Sequence, residues 1–189
     1  AIDIAADVPD QHMVSFMLSA SGEAEWNSNF SLLLSAPELA IGRLTIDDAG
    51  ASNPNGRLDP GETAIVMIET SNTGHAACAE AMASLESGTT YVTIENANYD
   101  LEGLEADEEK IAYFTINVDL NAPVGTVVPL NFQLIADAYT ADKAFAEKIG
   151  LIIEDWESGS FDEFEWSFGG NANWTLVSNE VYEGTYAAK

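Results

Sequence analysis

The sequence predicts an all-β protein organised around an antiparallel β-sandwich. Apolar and polar residues alternate in eight segments, which is the pattern of strands with one buried face. Gly, Asn, Asp or Pro residues separate the segments at intervals of about ten to fifteen residues. Short connections of this kind join antiparallel strands, so the spacing favours a sandwich over alternating strands and helices. The segments are residues 12–20, 29–36, 39–46, 63–71, 90–95, 110–119, 126–136 and 143–153.

Residues 75–85, HAACAEAMASL, have a less distinct pattern. Their alanine content suits a helix, but the turn sequence SNTG before them and the strand pattern after them favour a strand. Cys78 lies in this segment and is the sole cysteine, so neither an intrachain disulfide nor a cysteine zinc site is available. We expect its thiol to be buried as a small apolar side chain.

An internal repeat gives the domain organisation. Residues 2–20 and residues 116–136 both have the pattern strand, Asx-x-Pro turn, strand. In each copy a further strand pattern follows. The aligned pairs are Ile2–Ile116, Ile4–Val118, Asp7–Asn121, Pro9–Pro123, Phe16–Phe132 and Leu18–Leu134.

The repeat divides the chain into three parts. Residues 1–37 are predicted to be the last three strands of one sandwich, and residues 38–153 a complete second sandwich. Residues 154–189 hold three of the four Trp residues and are predicted to open a third, different β-domain. A segment this short cannot close a core alone, so both ends are expected to be cuts through a longer chain.

The charge balance restricts the partners. Six Lys and Arg residues against 32 Asp and Glu residues give a net charge of −26. Such a surface repels nucleic acid and anionic membranes and attracts cations, so neither nucleic-acid binding nor membrane insertion is expected. No run of eighteen apolar residues suggests a spanning helix either.

The segment before the predicted strand at 63–71 has the residue spacing of an EF-hand calcium loop. If Ala51 is position 1, Gly56 falls at position 6, where such a loop turns sharply, and Glu62 at position 12, where a carboxylate closes the shell with both oxygens. Calcium takes six to eight oxygen ligands at about 2.3–2.6 Å. The candidate ligands between these positions are Asn53, Asn55, the carbonyl of Arg57, and Asp59.

Position 1 departs from the pattern, because Ala51 has no side-chain oxygen. Asp47, Asp48 or a backbone carbonyl could replace it, and the sequence leaves this choice open. The competing interpretation is a plain Asx/Pro/Gly turn solvated by water. That interpretation leaves Glu62 unexplained, since Glu is usually depleted where a strand begins.

The loop and the residues after it resemble a known family. Residues 55–62, NGRLDPGE, and residues 72–74, NTG, are similar to motifs of immunoglobulin-like domains related to the CARDB group. These domains occur in secreted bacterial proteins, often after gingipain-type cysteine peptidase domains in Bacteroidetes. Residues 154–189 resemble the first strands of the jelly-roll adhesin-like modules that follow such domains.

The resemblance implies an immunoglobulin-like fold and a noncatalytic, calcium-stabilised spacer or interaction module of a large secreted or cell-surface protein, such as a gingipain-type peptidase or an adhesin. Its partners would be neighbouring domains of the same chain and a cell-surface protein or glycan. The alternative is a carbohydrate- or protein-binding adhesion module that acts through the aromatic residues of 154–189. No catalytic residues are predicted, since His12 and His75 fall in different predicted parts of the chain.

Overall fold

The protein is all-β, as the alternating segments predict. The computed structural model describes residues 2–52, 54–150, 156, 158–162, 164–171, 173–182 and 184–189. Among these residues there are twelve strands and no helix, and hence no helix that could cross a membrane. Contacts divide the chain into two compact units, Ala1–Gly150 and Leu151–Lys189.

The strands belong to four antiparallel sheets. In chain order they are β1 (His12–Ser21), β2 (Glu25–Leu34), β3 (Leu39–Asp47), β4 (Thr63–Asn72), β5 (Met82–Ser87), β6 (Val92–Ile94), β7 (Asn98–Asp100), β8 (Glu109–Val118), β9 (Val127–Ala136), β10 (Tyr139–Lys148), β11 (Leu176–Val177) and β12 (Ala187–Ala188). Two sheets have four strands, in the orders β3-β4-β8-β6 and β10-β9-β5-β7. The pairs β1-β2 and β11-β12 form two-stranded sheets.

The two four-stranded sheets pack face to face around one core, which is the predicted sandwich. Phe114 of β8 meets Phe132 of β9 edge to face, with 6.0 Å between ring centroids, so the contact joins the two layers. Every second residue of β9 points into the core. These residues are Val128, Leu130, Phe132, Leu134 and Ala136, and all are buried.

The segment at 75–85 is where the strand prediction is partly wrong. Its strand, β5, begins at Met82, and residues 75–81 are irregular apart from an isolated bridge between Cys78 and Leu104. The Cys78 thiol is buried, as expected, and donates to the Leu104 carbonyl at 3.5 Å. Backbone hydrogen bonds join this segment to residues 101–104 only at Cys78 and Ala81, so its alternating residues do not form a continuous ladder.

Other strand ends differ from the prediction for local reasons. β7 was not predicted, since three residues are too few to establish an alternation. β10 begins at Tyr139 rather than at residue 143, because a two-residue turn with Asp137 at φ 53° follows β9 directly. β2 begins at Glu25 rather than at residue 29, since its full length pairs with β1.

Asn72 joins the segment before β3 to the sandwich through a fully buried side chain. Its Oδ1 accepts hydrogen bonds from the backbone N–H groups of Glu38 and Gly74, both at 3.0 Å. Its Nδ2 donates to the carbonyls of Ala76 and Leu104 at 2.8 and 3.3 Å. A buried amide that satisfies four backbone groups fixes the path of the chain, because its loss leaves those groups unpaired.

The β1–β2 hairpin is attached to the sandwich at its base, mainly through Asp10. Its Oδ1 accepts from the N–H groups of Ala36 (2.8 Å) and His75 (3.3 Å), and its Oδ2 lies 2.6 Å from Nδ1 of His75. The hydrogen bond from Ala36, followed by those from His75, lowers the pKa of Asp10. The hydrogen bond to Asp10, followed by its charge, raises the pKa of His75. Tyr139 adds a hydrogen bond to the Val8 carbonyl at 2.9 Å.

The predicted repeat corresponds to two similar hairpins. β1–β2 and β9–β10 are both antiparallel pairs of ten-residue strands. The strand predicted before the first Pro turn is absent from the described residues around Ile2 and Ile4, which are exposed and outside any strand. The three-part division at residues 37 and 153 stays a prediction.

The unit Leu151–Lys189 contains a short ladder and a group of aromatic rings. β11 and β12 pair through Leu176 with Ala188 and Val177 with Ala187. The ring of Trp156 lies 5.4 Å from that of Phe161 and 5.3 Å from that of Trp166, measured between centroids. A jelly-roll identity for this part stays a prediction.

The two hairpins allow a direct comparison of equivalent leucines. Leu134→Ala is expected to lower the free energy of unfolding by about 2–5 kcal/mol, because it leaves a cavity between the sheets. Leu18→Ala, at the aligned but exposed position of β1, is expected to cost less than about 1 kcal/mol. Urea denaturation measures both, and equal losses would contradict the assignment of the core.

The attachment of the hairpin is expected to depend on pH. Because folding lowers its pKa, Asp10 contributes fully to the stability of the attachment above its unfolded-state pKa of about 3.9. This contribution is lost as the pH falls through the folded-state pKa of Asp10. Because folding raises its pKa, His75 contributes fully to the stability of the attachment below its unfolded-state pKa of about 6.5. This contribution is lost as the pH rises through the folded-state pKa of His75. The hydrogen-exchange protection factor of the Ala36 amide should therefore peak between these limits and lose the dependence in Asp10→Asn.

Candidate metal site

The candidate site lies in the connection from β3 to β4, residues 48–62, which we call the acidic loop. Leu58 anchors the loop, because its side chain is completely buried in the core. Its backbone forms a parallel bridge with Ile149, and its carbonyl accepts a hydrogen bond from the Gly150 N–H at 2.7 Å. The loop is therefore tied to the segment that follows β10.

Asp48 organises the first half of the acidic loop. Its side chain is buried, and Oδ2 accepts hydrogen bonds from the backbone N–H groups of Asn55 (2.6 Å) and Gly56 (2.9 Å). The hydrogen bond from Asn55 is the main reason that the pKa of Asp48 lies below its ordinary value. Gly56 takes φ 72°, the left-handed conformation expected at the sharp turn of the loop.

Asp47 has a different role from its neighbour. It is exposed, and its Oδ1 accepts a hydrogen bond from the Ala49 N–H at 3.0 Å, which is a local Asx turn. Of the two aspartates that could replace the missing ligand of Ala51, Asp48 therefore points into the acidic loop.

Glu62 ends the acidic loop, and only one of its two carboxylate oxygens has a hydrogen-bond partner. A turn from Asp59 to Glu62, with Gly61 at φ 79°, places the Glu62 side chain against its own loop. Oε2 accepts a hydrogen bond from the Asp59 N–H at 2.8 Å. Oε1 is buried without a hydrogen-bond partner, and the whole residue is 9% exposed.

The electrostatic environment of Glu62 disfavours its ionised form. Burial is the main cause that raises the pKa of Glu62, and the charges of Asp48 and Asp59 raise it further. The N–H of Asp59 offsets part of this effect. The surroundings of Oε1 are thus negative, partly desolvated and suited to a cation.

The remaining predicted ligands have hydrogen-bond partners of their own or are exposed. Asn55 is exposed and donates through Nδ2 to Oδ2 of Asp59 at 2.7 Å, and Arg57 is exposed. Asn53 lies outside the described residues. Within the described part of the chain, no group of three or more His, Cys, Asp or Glu side chains is close enough to hold a metal. The predicted seven-residue ligand set stays a prediction.

A pocket lies beside the Glu62 carboxylate. Its volume is about 310 Å³, and it is lined by Gly50, Ala51, Ser52 and residues 59–63. Several of the lining residues, Gly50, Ala51, Ser52 and Gly61, are small, which leaves room for water beside the loop. The loop pattern includes Ala51 as position 1 but assigns no ligand to residues 50–52, since Gly50 and Ala51 have no side-chain oxygen.

The comparisons with known proteins give no family. No protein-family model matches the sequence, and no curated protein matches it significantly. A FixG-related protein from Vibrio parahaemolyticus is similar in structure, with a TM-score of 0.39 and 11% identity over 60% of this chain and 97% of that chain. A family 123 glycoside hydrolase from Clostridium perfringens has a TM-score of 0.37 and 11% identity over 60% of this chain and 26% of its own.

The two neighbouring aspartates are expected to differ in importance. Asp48→Ala should lower the melting temperature clearly, because the N–H groups of Asn55 and Gly56 lose their shared acceptor. Asp47→Ala should change it little, since it removes one exposed local contact. Calorimetry at pH 7 measures both variants. A larger effect at position 47 would contradict the geometry of the loop.

Proposed function

We propose that this chain is a noncatalytic immunoglobulin-like spacer module of a secreted or cell-surface protein, stabilised by calcium bound at the acidic loop. The observation that carries the proposal is the buried, unpartnered Oε1 of Glu62. A buried carboxylate oxygen without a partner costs about 1–3 kcal/mol or more. A cation at this oxygen removes the cost and also offsets the repulsion from Asp48 and Asp59.

The donor chemistry fits calcium better than a softer metal. Glu62 and Asp59 would supply carboxylate oxygens and Arg57 its carbonyl, and these are the hard oxygen ligands that calcium takes. Asn55 would add its amide oxygen once its side chain releases Asp59. Water would complete the shell from the pocket beside residues 50–52. A set with few carboxylates suits the weak sites of extracellular modules, with Kd of about 10⁻⁴–10⁻³ M.

The position of the loop gives the cation a mechanical role. The Glu62 carbonyl accepts a hydrogen bond from the Val118 N–H at 2.8 Å, at the end of β8. Leu58 holds Gly150, the last residue of the first compact unit. A cation that fixes residues 59–62 would thus also restrain the end of β8 through Glu62. Through the adjacent Leu58 it would restrain the segment after β10, where the chain leaves the sandwich. This supports a spacer that keeps its shape between neighbouring domains.

The resemblance to domains of the CARDB group supports an exported parent protein. The net charge of −26 agrees with it, because millimolar calcium outside the cell would screen and bind so acidic a surface. Neighbouring domains of the same chain are the proposed partners.

A second candidate function rests on the aromatic rings of the C-terminal unit. Trp166 and Trp174 are substantially exposed, and Tyr182 is fully exposed. Exposed aromatic faces stack on the apolar faces of sugars, so this unit could belong to a glycan- or protein-binding adhesion module. A glycan array probed with this chain tests it. Binding abolished by Trp174→Ala supports the adhesion function, and binding that survives this change argues against it.

Calcium is expected to raise the stability of the protein. At about a hundredfold excess over Kd, binding to the folded state alone adds about 2.7 kcal/mol to the free energy of unfolding. Calorimetry in calcium chloride and in EDTA measures the effect, and magnesium chloride at equal ionic strength controls for screening. A melting temperature that is the same in calcium and in EDTA would refute the proposal.

Glu62→Gln is expected to abolish the calcium effect. Without calcium, the variant should be at least as stable as the wild type at pH 7, because it removes a buried charge. The raised pKa of Glu62 means that its contribution is complete below the unfolded value of about 4.3 and is lost as the pH rises through the folded value. The variant should not lose stability in that range. Glu109→Gln, an equal charge change at the exposed start of β8, is the control and should retain the calcium effect.

A further inference from the structure

The Asn-Thr-Gly motif at residues 72–74 lies outside the acidic loop and has no role in the binding of calcium proposed there. It ends β4 and opens an irregular stretch, residues 72–76, which we call the NTG segment. Backbone hydrogen bonds join the NTG segment to residues 36–38, which lead from the β1–β2 hairpin into β3 and which we call the entry segment. The motif therefore makes a tertiary contact with the part of the chain that connects the hairpin to the sandwich.

Gly74 is the point at which the entry segment comes closest. A Cβ atom on Gly74 would lie 2.3 Å from the Ala36 carbonyl oxygen and 2.4 Å from the Glu38 nitrogen. Both distances are far inside van der Waals contact, and both neighbours are backbone atoms, which cannot rotate away as a side chain can. Gly74 is not among the glycines with a positive φ, so its own conformation would accept other residues. The glycine is therefore needed for the close approach of the entry segment.

Backbone hydrogen bonds hold the entry segment on both sides of this contact. The Glu38 carbonyl accepts a hydrogen bond from the Thr73 N–H at 2.7 Å. The Ala36 carbonyl accepts from the N–H groups of His75 and Ala76 at 3.1 and 3.3 Å. Ala36 itself is almost completely buried, so these bonds are shielded from competition by water. The NTG segment therefore holds the entry segment at both of its ends.

The base of the hairpin is held by the same NTG segment. β1 and β2 form a sheet of their own, separate from the two four-stranded sheets, and most of their residues are exposed. Immediately before β1, the side chains of Asp10 and Gln11 both contact the His75 ring. Asp10 also accepts the hydrogen bond from the Ala36 N–H, so it ties the base of the hairpin to the entry segment as well. The direction of the hairpin therefore depends on contacts with the NTG segment rather than on packing between sheets.

We infer that the NTG segment is a rigid joint, which fixes the direction of the β1–β2 hairpin relative to the sandwich. The joint fits a partner of defined chemistry: a small residue at the position of Ala36, whose carbonyl meets two N–H groups, and a carboxylate at that of Asp10, beside His75. Under the proposed function, the hairpin is the end of a neighbouring domain, and the joint sets the angle between the two domains. This last step rests on the proposed function, whereas the joint itself uses no residue of the acidic loop.

Residual dipolar couplings of the intact chain test the joint, since they average over the microsecond-to-millisecond motions of domain hinges. In the wild type, one alignment tensor should fit the amides of β1 and β2 together with those of β3–β10, in calcium and in EDTA alike. Gly74→Ala should require a second tensor for the hairpin, with a degree of order at least about twofold lower, because the added Cβ displaces the entry segment. Gly88→Ala is the matched control, since the nearest neighbour of its Cβ would be the Pro129 ring at 3.9 Å, and it should keep the single tensor.

A wild-type chain that already needs two tensors would overturn the inference without any variant, because the hairpin would then move on the sandwich. A single tensor in Gly74→Ala would overturn it as well. If that variant does not fold, Asp10→Ala replaces it and should also lower the order of the hairpin, whereas Asp7→Ala, at an exposed position of the same stretch, should not. Equal couplings in the two aspartate variants would again contradict the joint. Failure of the proposed function appears separately, as a melting temperature that calcium does not change, and leaves these couplings as they are.

Discussion

The structure of the acidic loop depends on which groups interact with the buried carboxylate of Glu62. Glu62 cannot turn outwards to water without giving up the hydrogen bond that its Oε2 accepts from the Asp59 N–H, and this bond supplements the backbone bond that closes the turn leading into β4. Oε2 therefore keeps its hydrogen bond, while Oε1 has no hydrogen-bond partner. Burial and two nearby aspartates disfavour its charge, so protonation or a cation must compensate. Under the proposed function, calcium would do so at neutral pH, where protonation of an ordinary carboxylate is unfavourable.

Apolar and polar contacts stabilise different parts of the chain. Alternating aliphatic residues and the Phe114–Phe132 contact hold the two sheets together, as hydrophobic burial predicts for any sandwich. Single polar side chains then fix the irregular segments: Asn72 the entry to β3, Asp10 the base of the hairpin, and Asp48 the acidic loop. Each accepts hydrogen bonds from backbone N–H groups that no strand satisfies. These side chains, rather than the core, therefore decide where the strands begin and how the loop is presented.

Local patterns in the sequence predicted the parts of the fold that local physics decides. The alternation in β9 and the need for Gly56 at a sharp turn are both properties of neighbouring residues. Contacts between residues far apart in the sequence could not be predicted from these patterns. The bridge from Leu58 to Ile149 and the four partners of Asn72 depend on the folded path of the chain. For the same reason, spacing alone could not choose between Asp47 and Asp48, because the choice depends on which side chain the fold buries.

The acidic residues of the first unit are distributed unevenly. An excess of acidic residues opposes compactness, unless cations intervene or the charges lie far apart. In the acidic loop, the buried carboxylate of Glu62 lies near the charges of Asp48 and Asp59, and the proposed calcium ion would act there. The β1–β2 hairpin carries Asp, Glu, Lys or Arg residues only at Glu23 and Glu25, near its tip. Under the proposed function, chelation would therefore act on the acidic loop and leave the hairpin unchanged.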